Sequence, residues 1–165
     1  MRMSEGVEWG IHCCSLLAAL DDGETLTGGR LSEFFMVPRT YLLKNLRALS
    51  RAGILRATTG SRGGYRLTRP AREITVLEIV EAIEGVEPAF HCSEIRQRGP
   101  SGLPTTAYPA PCGIAATMWR AEAAWREVLR GITLGEIVAL GRREVPAAQR
   151  ALTHDWLARA NADRA

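Results

Sequence analysis

Four cysteines (Cys13, Cys14, Cys92, Cys112) and three histidines carry the metal and redox chemistry open to this 165-residue sequence. A thiolate is both a nucleophile and a metal ligand. Four thiols, two of them adjacent, do not make the bridge framework of a secreted protein. In a reducing compartment they are expected to be buried, metal-binding or redox-active. Cys92 and Cys112 stand twenty positions apart, and Pro or Gly fills six of the fourteen positions 98–111 between them. Two such thiols suit free cysteines or a zinc site as readily as an iron–sulfur cluster. Glu8 and His12 are spaced i, i+4 and share one face of a helix, apart from the Val7, Ile11, Cys14 stripe. On spacing alone that is an ordinary surface pair. His91 and Glu94, next to Cys92, are reserve donors.

Charge is the second source of chemistry. The formal net charge is only +3, yet residues 1–72 hold eleven bases and six acids, and residues 73–165 hold ten and twelve. From Arg39 to Arg72 there are nine bases and no acid. Such a run is the electrostatic footprint of a polyanion partner, or a solvated basic face.

The elements that must position these groups follow from periodicity. Residues 4–20 read as a helix with Ser4 as N-cap, and Cys13 and Cys14 fall on its packing side. A short helix over 29–36 is followed by Val37 and Pro38, with Pro38 at the first position of a helix running to Ala52. Leu42, Leu43, Leu46 and Leu49 form one face of that helix; Thr40, Lys44, Arg47 and Arg51 form the opposite, basic one. Residues 54–58 and 64–68 alternate like strands around a tip at 59–63 that exposes Arg62. Thr75 to Glu78 and Thr133 to Glu136 are capping-box signatures, each opening a helix. Residues 98–111 read as loop without regular structure, 113–130 as a longer helix, and the tail from Pro146 as a last helix around Leu152, Trp156 and Leu157.

The expected fold is therefore mainly α with a small two-stranded wing: a winged helix-turn-helix. One helix fits a DNA major groove about 12 Å wide, and its N-terminal side chains reach base edges and phosphates. Arg39, Thr40, Tyr41 and Lys44 are the expected readers, with Arg47 on phosphate and Ser61 and Arg62 placed by the wing. No nucleophile–base arrangement, paired-carboxylate motif or phosphate-cradling loop stands out, and Gly60 to Gly64 lies between two strands, so an enzyme is not expected. No apolar run approaches the roughly 18 residues of a membrane helix, so no membrane partner is expected. The stretch Cys13 to Leu20 lacks a basic leader, and the expected location is cytoplasmic.

The residues from Pro38 through Tyr41, Lys44 and Leu46 to Ala52-Gly53 carry a more specific resemblance. It continues through Gly60, Gly63, Gly64, Tyr65 and Leu67 to Ile74, Thr75 and Ala82 to Gly85. This pattern resembles the IscR/NsrR family of bacterial transcription regulators. The resemblance implies a homodimeric repressor that binds double-stranded operator DNA. It divides the chain into a winged domain (1–85), a cluster-binding loop (86–112), a dimerisation helix with a short following helix (113–145) and a tail (146–165). Cluster-bearing members show three closely spaced loop cysteines, whereas this chain has two, and a [2Fe–2S] cluster needs four protein ligands. Similarity to the redox-sensing branch implies Cys92 and Cys112 from one subunit with Glu8 and His12 from the other, and Trp9 as a packing or gating residue. A carboxylate is a hard donor that suits ferric iron better than ferrous, so the oxidised form is expected to bind the operator and the reduced form to release it. A cluster-free regulator responding to oxidants or nitric oxide through its thiols is the alternative.

Overall fold

The computed structural model describes residues 3–60 and 63–162. Helix α1 (Glu5–Leu17) buries Val7, Cys13, Cys14 and Leu17, and both thiols are fully shielded from solvent. It ends three residues before the expected Leu20. Ala19 and Leu20 turn to the carbonyls of Leu16 and Leu17, and this i, i+3 bonding tightens the chain out of the helix. Ser4 holds the N-cap position without capping: its N–H and hydroxyl both donate to Glu84, at 2.9 and 2.6 Å, and tie the start of α1 to the end of α4 (Val76–Glu84).

Helix α2 (Gly28–Phe35) is capped by the Thr27 hydroxyl, which accepts from the Arg30 N–H. It ends at Met36 in the left-handed conformation, φ 51°, with the side chain exposed. Pro38 then occupies the N-cap of α3 (Arg39–Arg51) rather than its first turn. The buried face of α3 is Leu42, Asn45, Leu46 and Leu49, and with Leu26, Leu31, Ile54 and Ile79 it forms the centre of the core. Strands β1 (Leu55–Thr58) and β2 (Gly64–Leu67) pair antiparallel, Leu55 opposite Leu67 and Arg56 opposite Arg66. Leu26, in the α1–α2 connection, exchanges both backbone hydrogen bonds with Tyr65 and adds a short third edge to the wing. A Cβ at Gly64 would lie 2.7 Å from the Leu26 carbonyl oxygen, so this crossing needs glycine.

The two capping boxes are side by side. Thr75 and Thr133 form an antiparallel bridge, so α4 and α6 (Leu134–Glu144) start from one short ladder. Burial pushes the Glu78 carboxyl up, but the Thr75 N–H and hydroxyl and the Arg69 guanidinium outweigh it and hold it below the ordinary carboxylate value. Its contribution to stability is thus complete above that ordinary value and is lost as pH falls through the lower folded-state value. Glu136 is shifted the same way by Thr133. Thermal unfolding followed from pH 7 to pH 3 should show an acid loss that is smaller in Glu78→Gln, which cannot titrate.

Helix α5 (Gly113–Arg130) has two apolar faces. Trp125 and Leu129 pack on Val7, Val76 and Val80, whereas Ile114, Met118, Trp119 and Val128 are exposed. Arg126 fastens α5 to α4 by an ion pair with Glu81, and to the start of the loop through the Val86 carbonyl at 3.1 Å. The last helix, α7 (Ala147–Ala162), folds back on the core through Leu157 and Ala160. Its Trp156 ring meets Phe34 of α2, centroids 4.8 Å apart. Trp156→Ala should lower unfolding stability by about 2 kcal/mol, the cost of removing a half-buried aromatic contact, measurable by urea denaturation. Among the described residues no helix is long and apolar enough to cross a membrane.

Candidate functional site

Helix α3 presents Arg39, Thr40, Tyr41, Lys44, Arg47 and Arg51 on its exposed side. With proline as N-cap, no side chain caps its first turn. The N–H groups there face outward with the positive end of the helix dipole, which favours an anion. Of the nine bases between Arg39 and Arg72, Arg69 is paired with Glu78 and Arg72 with Glu73. Arg39, Lys44, Arg47 and Arg51 have no carboxylate partner among the described residues. The uncompensated charge is therefore concentrated on α3 and the wing. Ser61 and Arg62, expected at the wing tip, lie outside the described residues.

The recognition helix is in ring contact with α1. Trp9 meets Tyr41 edge to face, with centroids 5.3 Å apart and planes at 81°, and the Lys44 ammonium lies 5.9 Å from the centre of the Tyr41 ring. Glu8 and His12, flanking Trp9 in sequence, are both exposed on α1, and the His12 ring is 5.8 Å from Phe35.

The other candidate ligands sit in the loop between α4 and α5, which is more ordered than its composition suggests. It contains two 3-10 turns, Ile95–Gln97 and Thr105–Ala107. The Tyr108 hydroxyl donates to the Arg96 carbonyl and accepts from the Leu103 N–H. Cys92 and Cys112 are half-buried, and both act on Glu94, Cys92 through its thiol and Cys112 through its backbone N–H. Arg96 bonds the Glu94 carboxylate at 2.7 Å and holds it below its ordinary range, aided by the Cys112 backbone N–H and the Cys92 thiol. The N–H groups of Ala115 and Ile114 in the first turn of α5, with Arg96, hold the Cys112 thiol below the ordinary cysteine value. Such a thiol supplies the thiolate needed for ligation or oxidation. Cys13 behaves oppositely: burial pushes it up to about 12, and Cys14 is raised further. Those two pack in the core.

Glu8 and His12 do not join the loop thiols within one chain. Among the described residues, no three His, Cys, Asp or Glu side chains are spaced to hold a metal ion. His91 is exposed and outside the cluster around Glu94. Sequence reading missed the role of Arg96, although a base two residues after Glu94 was a signal. It also missed Tyr108, an aromatic residue within a Pro/Gly-rich stretch.

Comparison with known proteins agrees with this geometry. The family model for Rrf2, described as iron-dependent transcriptional regulator, matches residues 3–140. Protein aau3 of Rhizobium meliloti (strain 1021) is 31% identical over 139 residues, covering 84% of this chain and 85% of that protein. Two solved structures share the fold. T. potens IscR has a TM-score of 0.66 at 20% identity, covering 89% of this chain and 93% of its own. CymR (YrzC), the global cysteine regulator of B. subtilis, has a TM-score of 0.64 at 19% identity, covering 85% and 98%. Helix α7 lies beyond the stretch that the family model matches. With its winged fold and unpaired basic helix, the chain belongs to the Rrf2 family and is a DNA-binding transcriptional regulator.

Proposed function

We propose that the chain is a homodimeric repressor whose operator affinity follows the redox state of a [2Fe–2S] cluster. Cys92 and Cys112 of one protomer would hold it together with Glu8 and His12 of the partner subunit. The observation that carries this reading is the position of Trp9: it lies between two exposed donor residues and its ring touches the recognition helix. The donor set fits a cluster. Two loop thiols, one of them favoured as thiolate, supply half of the four ligands, and a carboxylate and an imidazole complete them. The exposed apolar face of α5 supports pairing with a second copy.

When bound, the cluster supplies a one-electron couple, and a hard carboxylate donor suits its ferric state better than its ferrous one. Glu8 and His12 lie within one turn of Trp9 on α1, so any change in how firmly they are held displaces the indole. Tyr41 receives that displacement directly and tilts the exposed face of α3. Two recognition helices set for half-sites about 34 Å apart lose their match when tilted. Anaerobically purified protein should absorb between about 300 and 600 nm and bleach reversibly on reduction. A colourless protein that cannot be reconstituted with iron and sulfide contradicts the reading.

A second reading, thiol regulation without a cluster, is supported by Cys92 and Cys112 both acting on Glu94, and by the Cys112 thiol being held below the ordinary cysteine value. There the two thiols lose two protons and pass two electrons to an oxidant, forming a disulfide. Loss of both free loop thiols on mild oxidation of colourless protein would identify it.

A further inference from the structure

The two loop cysteines are twenty positions apart in sequence, and any chemistry they share needs their two segments brought together. Arg96 is placed to do so. Its Nε donates to Glu94, two residues after Cys92, at 2.7 Å, and its Nη2 donates to the carbonyl of Ala110, two residues before Cys112, also at 2.7 Å. The guanidinium carbon lies 4.5 Å from the centre of the Tyr108 ring, and the Tyr108 hydroxyl donates back to the Arg96 carbonyl at 3.1 Å. One side chain thus bridges both arms of the loop at equal offsets from the two cysteines and lies over the Tyr108 ring. A planar, forked donor can reach both acceptors while lying against the Tyr108 ring; an ammonium has neither the fixed fork nor the flat face.

We propose that Arg96 is the positioning residue of the thiol pair, a clasp that sets the spacing of Cys92 and Cys112 and places a fixed positive charge beside them. The proposal rests on the reading that these two cysteines act as a pair, and it holds for a cluster or a disulfide alike. Without the clasp, the loop loses its cross-link, and the two thiols sample separations too wide to share one ligand. The same charge stabilises added negative charge on whatever the thiolates hold.

The test uses metal-free, reduced, full-length protein and phenylarsine oxide. Its arsenic forms two As–S bonds with two nearby thiols, releasing its oxygen as water formed with the two thiol protons. Wild-type protein should capture one equivalent in competition with a monothiol, and Cys92→Ser should capture none. Arg96→Gln should weaken capture at least tenfold, and Tyr108→Leu should weaken it less. Arg96→Lys, which keeps the charge but not the fork, should capture as poorly as Arg96→Gln. In cluster-loaded protein the charge is read separately: the midpoint potential should fall in Arg96→Gln and be rescued in Arg96→Lys. Helical circular dichroism should be unchanged throughout. Capture by Arg96→Gln equal to wild type overturns the clasp. A wild-type protein that captures the arsenical but takes up no cluster overturns the cluster reading alone.

Discussion

Mixing Cys92→Ala chains with His12→Ala chains, by co-expression or subunit exchange, should restore about a quarter of the wild-type cluster content, although neither variant alone holds any. A two-fold dimer with shared ligands has two sites, each taking thiols from one chain and Glu8 and His12 from the other. In the mixed dimer one site combines both defects and the other has none. Half of the dimers are mixed at random exchange, so about one site in four is intact. The expectation follows from the separation, within a single chain, of the loop thiols from Glu8 and His12. If all four ligands came from one chain, mixing would restore nothing. Cluster content is read from iron analysis and visible absorbance of the purified mixture.

Arg39→Ala combined with Lys44→Ala should weaken operator binding by about a hundredfold or more, since each contact to base or phosphate carries about 1–3 kcal/mol. Both side chains are exposed near the uncapped start of α3 and unpaired with acid among the described residues. The salt dependence should flatten as well, by about 0.9 in log–log slope for every phosphate contact removed. The matched control is Arg69→Ala with Arg72→Ala, which removes the same charge from residues already bound to Glu78 and Glu73. That pair should leave affinity within a few-fold. Equal losses in the two double variants would mean that net charge, rather than the face of α3, sets binding.

The contrast between those two pairs shows where the sequence was legible. All nine bases from Arg39 to Arg72 look alike in one dimension, because no acid intervenes. Folding brings Glu78 back onto Arg69, nine positions earlier, and Arg72 pairs with its neighbour Glu73, which lies just beyond the run of bases. Helix α3 and the wing were readable because leucines recur at helical spacing and strand residues alternate, both local signals. The Leu26–Tyr65 bridge was not, since it joins residues 39 positions apart through backbone atoms alone. Ser4 had the residue type and backbone of a cap, yet a long-range partner, Glu84, took its hydroxyl. The loop was misjudged for a related reason. Pro and Gly mark the absence of helix and strand, but the order around Arg96 comes from side-chain bonds and a stacked ring, to which periodicity is blind. The proposed ligands Glu8, His12, Cys92 and Cys112 were named through family resemblance; their spacing alone did not single them out.

In the proposed switch, the ring contact of Trp9 with Tyr41 carries the state of the cluster to α3. Its consequence is most directly tested by the operator affinity of cluster-loaded protein, measured anaerobically before and after reduction with dithionite, with the cluster shown by its iron content to be retained. Reduction should weaken binding at least tenfold, about 1.4 kcal/mol, and reoxidation should restore it. Equal affinity in the two states, with the cluster intact in both, would contradict the switch.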